Sequence, residues 1–186
     1  MGENRYRAQL IIEEVGKAVI GKEDILKMIM TAILAGGHIL IEDIPGTGKT
    51  TMALSFSRAM GLEVNRVQFT PDILPADLAG FTVYDKESGS FVYQPGAVIC
   101  NLLLADEINR TSPKTQSALL EVMEEHQVTV DGNTYKTGVP FIVIATENPV
   151  GSAGTQLLPE SQLDRFMICV SMGYPSVEEE IEILKR

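Results

Sequence analysis

The stretch from Ile39 to Met52, ILIEDIPGTGKTTM, constrains this chain more than any other. Ile39, Leu40 and Ile41 suit a buried strand that stops at Glu42 and Asp43; Pro45, Gly46 and Gly48 then make a tight loop, and helix-forming sequence resumes at Lys49. Strand, glycine loop and helix in that order form a phosphate cradle. Glycines let successive backbone N–H groups converge on an anion, and the helix N-terminus adds partial positive charge. The expected nucleotide contacts are Asp43, Pro45, Gly46, Thr47, Gly48, Lys49, Thr50 and Thr51, with Lys49 on the β- and γ-phosphates and the Thr50 hydroxyl on magnesium. Asp43 stands where the pattern G-x-x-x-x-G-K-[ST] has its first glycine, which perturbs the loop entry and leaves the turn from Pro45 to Thr50 whole.

Around this loop, helices and strands alternate, as a parallel α/β sheet requires. Apolar residues at helical spacing predict helices over Ala8 to Val15 and Asp24 to Ala35, with the apolar turn Val19-Ile20-Gly21 between them. That turn reads either as a plain helix connection or as a wall against an adenine ring. Lys49 to Met60 reads as a helix, and Glu63 to Thr70 as a strand with Gln68 near its end. The segment from Pro71 to Leu78 reads as a loop or a short helical turn. Two hairpins are expected, one turning at Lys86 to Ser90 and one at Asp131-Gly132. Ala97 to Ala105 and Pro140 to Ala145 read as buried strands, Ser112-Pro113 as a helix start, Pro159 to Asp164 as a short helix, Phe166 to Ser171 as a last strand and Val177 to Arg186 as a helix.

A chain of 186 residues fits one domain. A net charge of −10 disfavours a nucleic-acid groove, which needs clustered Lys and Arg. No apolar run approaches the roughly 20 residues of a membrane span, and MGENRYRAQ lacks a signal-peptide core, so the expectation is a cytoplasmic protein. Cys100 and Cys169 lie in apolar runs and are expected to be buried structural thiols. His38 and His126 are isolated in sequence, and no Cys/His spacing suggests a metal held by the protein alone.

Three apolar strands end in polar residues suited to one phosphate site: the loop after Ile41, Asp106-Glu107 and Asn148. Ligands of open parallel sheets sit at carboxyl strand ends. Asp106 would hold magnesium through water, Glu107 would orient the attacking water, and Asn148 would sense the γ-phosphate. Each could also be a solvated strand end or a turn residue.

With these residues in hand, the chain from Val19 to Pro175 resembles the AAA+ ATPases, and their MoxR branch in particular. The motifs are IEDIPGTGKTT, RVQFTPDILPADLAG, LLLADEINRTSPKTQSALLEVMEE, IATENP and GTQLLPESQLDRF. The resemblance implies a three-layer P-loop NTPase sandwich with a parallel sheet in the order 5-1-4-3-2 and β-hairpin insertions. It also implies ATP and magnesium as cofactors, ATP hydrolysis, a homo-oligomeric ring such as a hexamer, and chaperone-like remodelling of a client, often one with a von Willebrand A-type domain. By the same resemblance Lys49 and Thr50 match the Walker A pair, Asp106 and Glu107 the Walker B pair and Asn148 the first sensor. Arg165 matches the arginine that reaches a neighbour's nucleotide, with Arg110 as a rival and a local salt bridge as the bland alternative. Gln68 could pair with Glu107 and hold it off. The implied sheet order sets the strands of Cys100 and Cys169 about 14 Å apart, too far for a disulfide. Residues 1–186 would form the nucleotide-binding domain without the helical lid that the family places after it. Tyr84, Phe91, Tyr93 and Tyr135 on the hairpins are partner anchors or simply sheet packing. The rival readings are a nucleotide-switched adaptor and a DNA-translocating motor.

Overall fold

Alternation along each central strand sends side chains to two different cores. The computed structural model describes residues 2–42, 48–147 and 158–185. Its strands β1 (His38–Glu42), β2 (Val64–Gln68), β5 (Leu102–Asp106), β8 (Ile142–Glu147) and β9 (Phe166–Val170) form one parallel sheet in the order β2-β5-β8-β1-β9. Numbered among themselves, those five strands run 5-1-4-3-2, the order expected. Ile39, Ile41, Leu102, Leu104, Ile142 and Ile144 face one core, and Leu40, Leu103, Ala105, Val143 and Ala145 face the other. Burial on both faces explains why these strands read as unbroken apolar runs.

The first core is closed by α1 (Gly2–Gly16), α2 (Glu23–Leu34) and α3 (Lys49–Met60), which contribute Val15, Leu26, Ile29, Met52 and Phe56. The second is closed by α4 (Pro75–Ala79) and α5 (Pro113–Glu125), through Leu78, Leu119, Leu120 and Met123. Ser112 caps α5 by accepting the Thr115 N–H at 3.3 Å, and Pro113 occupies its first position. Two ribbons leave the sheet: β3 (Gly80–Asp85) with β4 (Ser90–Pro95), and β6 (Gln127–Val130) with β7 (Asn133–Lys136). α6 (Glu160–Leu163) precedes β9, and α7 (Val177–Leu184) follows it.

Two expectations need correction. The strand expected from Ala97 starts at Leu102, because the preceding backbone is drawn to α4: Ala97 and Val98 donate their N–H groups to the Asp77 and Leu78 carbonyls at 3.0 and 3.2 Å. Cys100 is buried as expected, but Cys169 is exposed, since β9 is the sheet edge and presents alternate residues outward. Desolvation, then the carboxylates of Glu42 and Glu147, push the Cys169 thiol up to about 12, so the exposed residue is still a poor thiolate. His38 and His126, far apart in sequence, lie with ring centroids 6.1 Å apart and share Phe141 as a neighbour. His38 is buried neutral: one ring nitrogen accepts the Val143 N–H and the other donates to the Met123 carbonyl, both at 3.0 Å.

Candidate functional site

Because the sheet is parallel, every strand delivers its last residue to the same edge. Glu42 and Glu147 stand side by side in register there, as do Gln68 and Asp106. Strand alternation puts Asp106 on the α3 side, with Leu102 and Leu104. β1 lies two strands from β5, about 10 Å away, and the helix that follows it starts at Lys49.

Gly48 caps α3 in the left-handed region with φ 86°, a conformation that favours glycine. No acidic residue occupies the first turn of α3, so its partial positive charge is not offset from within the helix. Lys49 is only 9% exposed, so its ammonium is largely withdrawn from water at the head of this helix. Asp43, Pro45, Gly46, Thr47 and Asn148 lie outside the described residues.

The carboxyl end of β5 carries a connected polar network. The Arg66 Nε donates to Asp106 Oδ2 at 2.8 Å, and the Thr146 hydroxyl reaches Asp106 Oδ1 at 3.5 Å. The Glu107 N–H donates to the same Thr146 oxygen at 2.9 Å, tying β5 to β8. Glu107 itself has φ 58°, left-handed backbone that a non-glycine residue adopts at a cost of about 1–2 kcal/mol. Its carboxylate is held by Arg110 at 2.8 Å. Among the described residues no hydrogen bond joins Gln68 to Glu107, the pairing the sequence left open; Arg110 holds that carboxylate instead. Arg66 and Thr146 were missed as site residues because each reads as an ordinary strand position.

The turn Val19-Ile20-Gly21 lies beside the cradle. Val19, Ile20, Gly48, Thr51, Pro175 and Ile183 line one pocket of about 220 Å³. Gly21 has φ 71° and lies directly beneath the Glu179 carboxylate, so a side chain there would meet both backbone strain and a clash.

Arg165 sits at the opposite end of the sheet. It directly precedes Phe166, the first residue of β9, and its guanidinium pairs with Glu124 near the end of α5 and reaches the Leu120 carbonyl at 3.5 Å. The ribbon aromatics divide. Tyr93 stacks on Tyr135 at 3.6 Å and donates its hydroxyl to the Ala79 carbonyl at 2.6 Å, whereas Tyr84 and Phe91 meet edge to face with 57% and 74% of their surfaces exposed.

A family profile described as "ATPase family associated with various cellular activities (AAA)" matches residues 38–168. The chain is 43% identical over 175 residues to the chaperone MoxR1 of Mycobacterium tuberculosis, covering 94% of this chain and 46% of that protein. It belongs to the MoxR family of AAA+ ATPases. The uncharacterised protein YeaC of Bacillus subtilis is 51% identical over 173 residues, covering 93% of this chain and 54% of that one. The crystal structure of a provisionally named ATPase from Cytophaga hutchinsonii superposes with a TM-score of 0.88 at 44% identity, covering 98% of this chain and 55% of that one. This MoxR-family chain thus spans about half the length of the relatives it matches. No helix among the described residues is long and apolar enough to cross a membrane.

Proposed function

We propose that this chain binds ATP with magnesium at the Lys49 cradle and hydrolyses it to remodel a partner protein. One observation carries the reading: a buried lysine opens an acid-free helix start on the same side of the sheet as the buried carboxylate Asp106. Cation and helix terminus fit the phosphates, and Thr50 with Asp106 fits magnesium, which when bound neutralises phosphate charge. Glu107 orients the attacking water, and Asn148 senses the γ-phosphate. Val19, Ile20 and Gly21 face the base. Residues 1–186 act as the nucleotide-binding domain, and the protein works in the cytoplasm.

Arg165 serves a neighbouring subunit in a homo-oligomeric ring, such as a hexamer. It lies at the amino ends of the strands, about 16 Å of β-strand from the edge that carries Lys49 and Asp106, beyond reach of its own cradle. Its pairing with Glu124 is the form it takes before a neighbour docks. The exposed Tyr84 and Phe91 contact the client, for which the family resemblance suggests a von Willebrand A-type domain.

Phosphate release tests the reading. Glu107→Gln keeps ATP bound while turnover falls by on the order of a hundredfold, the scale of a positioned base. Loss of binding together with turnover would mark Glu107 as structural. Wild-type binding with no phosphate release would favour the nucleotide-switched adaptor instead.

A further inference from the structure

Asp106 is 8% exposed at its side chain, and a carboxylate so placed is strongly destabilising unless it is paired. Its partner comes from the edge strand. Arg66 stands opposite Leu104 in the β2–β5 register, two residues before Gln68, which stands opposite Asp106. Side chains two apart on a strand share a face, so Arg66 reaches diagonally to Asp106 and places Nε 2.8 Å from Oδ2. The other oxygen, Oδ1, faces the Thr146 hydroxyl at 3.5 Å. The Arg66 side chain is 52% exposed, so it lies at the open rim of the site.

We infer that Arg66 is the resident counter-ion of Asp106, and that by sharing this carboxylate with magnesium it limits how strongly the metal enhances nucleotide binding. The inference rests on the nucleotide reading above. Without metal, Arg66 neutralises Asp106, so this buried carboxylate is not left unpaired. When magnesium arrives with the nucleotide, its waters meet a carboxylate already bonded to a cation through one oxygen, and two like charges share one anion. Arg66 is thus a positioning residue: it holds Asp106 with Oδ1 toward Thr146 and moderates the negative potential there.

Magnesium linkage separates this role from a merely structural one. The readout is the ratio of ATP dissociation constants in EDTA and in excess magnesium, measured with a fluorescent ATP analogue. Taking the ratio cancels any effect that Arg66 has on nucleotide binding as such. Arg66→Ala raises the ratio about fivefold, the scale of one partly exposed ion pair, while Arg66→Lys, which keeps the charge, stays near wild type. In an Asp106→Asn background Arg66→Ala leaves the ratio unchanged, because the shared carboxylate is gone. A ratio unchanged or lowered by Arg66→Ala alone, or raised equally in the Asp106→Asn background, overturns the inference while leaving the nucleotide site standing. Wild-type protein that binds no nucleotide with or without magnesium overturns the nucleotide reading, and this inference with it.

Discussion

Glu147 makes the stability of this fold depend on pH in an unusual direction. It is the last residue of β8, in register beside Glu42, 7% exposed, and among the described residues its buried Oε2 has no hydrogen-bond partner. Burial first, and then the hydrogen bond and like charge of Glu42, raise its pKa from 4.5 to about 7. A carboxyl group with a raised folded pKa binds its proton more tightly in the folded than in the unfolded chain. Its contribution is therefore fully present below about 4.5 and is lost as the pH rises through about 7. At about 1.4 kcal/mol per pH unit, full ionisation removes up to about 3 kcal/mol. Glu147→Gln has no charge to bury, so relative to wild type it should gain roughly 1–3 kcal/mol at about pH 8 and little at about pH 5. Urea denaturation at the two pH values measures that difference. His38, whose pKa burial lowers, acts in the opposite sense, with stability lost as pH falls below 6.5, but it is common to both proteins and drops out of the comparison. A gain equal at both pH values, or absent at about pH 8, would refute the argument.

Two further predictions follow from placement. Tyr93→Ala removes a stack on Tyr135 and a hydrogen bond to Ala79 and should cost about 2–4 kcal/mol, whereas Phe91→Ala, at 74% exposure, should stay within about 0.5 kcal/mol in thermal denaturation. If the two cost the same, the division between packing and contact aromatics fails. In a chain extended to the length of its relatives, Arg165→Ala should bind ATP normally and hydrolyse it about a thousandfold more slowly. Mixing it with Lys49→Ala subunits should restore activity, because some interfaces then join an intact cradle to an intact arginine. Mixed rings that form but stay inactive would move that role to another residue.

How much of this was legible in the sequence depended on the reach of the interaction involved. α3 begins and ends at Lys49 and Met60 as its local signals require, with glycine on either side, and the hairpin turn at Asp131-Gly132 falls where its dipeptide puts it. The sheet order followed from the family resemblance and could not be read from periodicity, which says nothing about which strands are neighbours. Ala97 to Cys100 were misread because apolar composition cannot separate a sheet core from packing against α4. Arg66, Thr146 and the Glu42–Glu147 pair escaped for a related reason. Their chemistry arises across strands, between residues 40 or more positions apart in the first two cases and 105 apart in the third. Gln68 was read as one residue that could pair with the Glu107 carboxylate, which instead meets Arg110, three residues along its own segment, where the turn after β5 adopts left-handed backbone.

Nucleotide titration calorimetry with wild type and Lys49→Ala tests the central claim most directly. Wild type should bind ATP with magnesium at one saturable site. Lys49→Ala, which removes a buried cation from the head of α3, should weaken binding at least about tenfold, the loss expected of a charge-assisted contact to phosphate. Circular dichroism should show the variant folded. Unchanged affinity in a folded Lys49→Ala protein would contradict the account, since no phosphate could then be resting on that lysine.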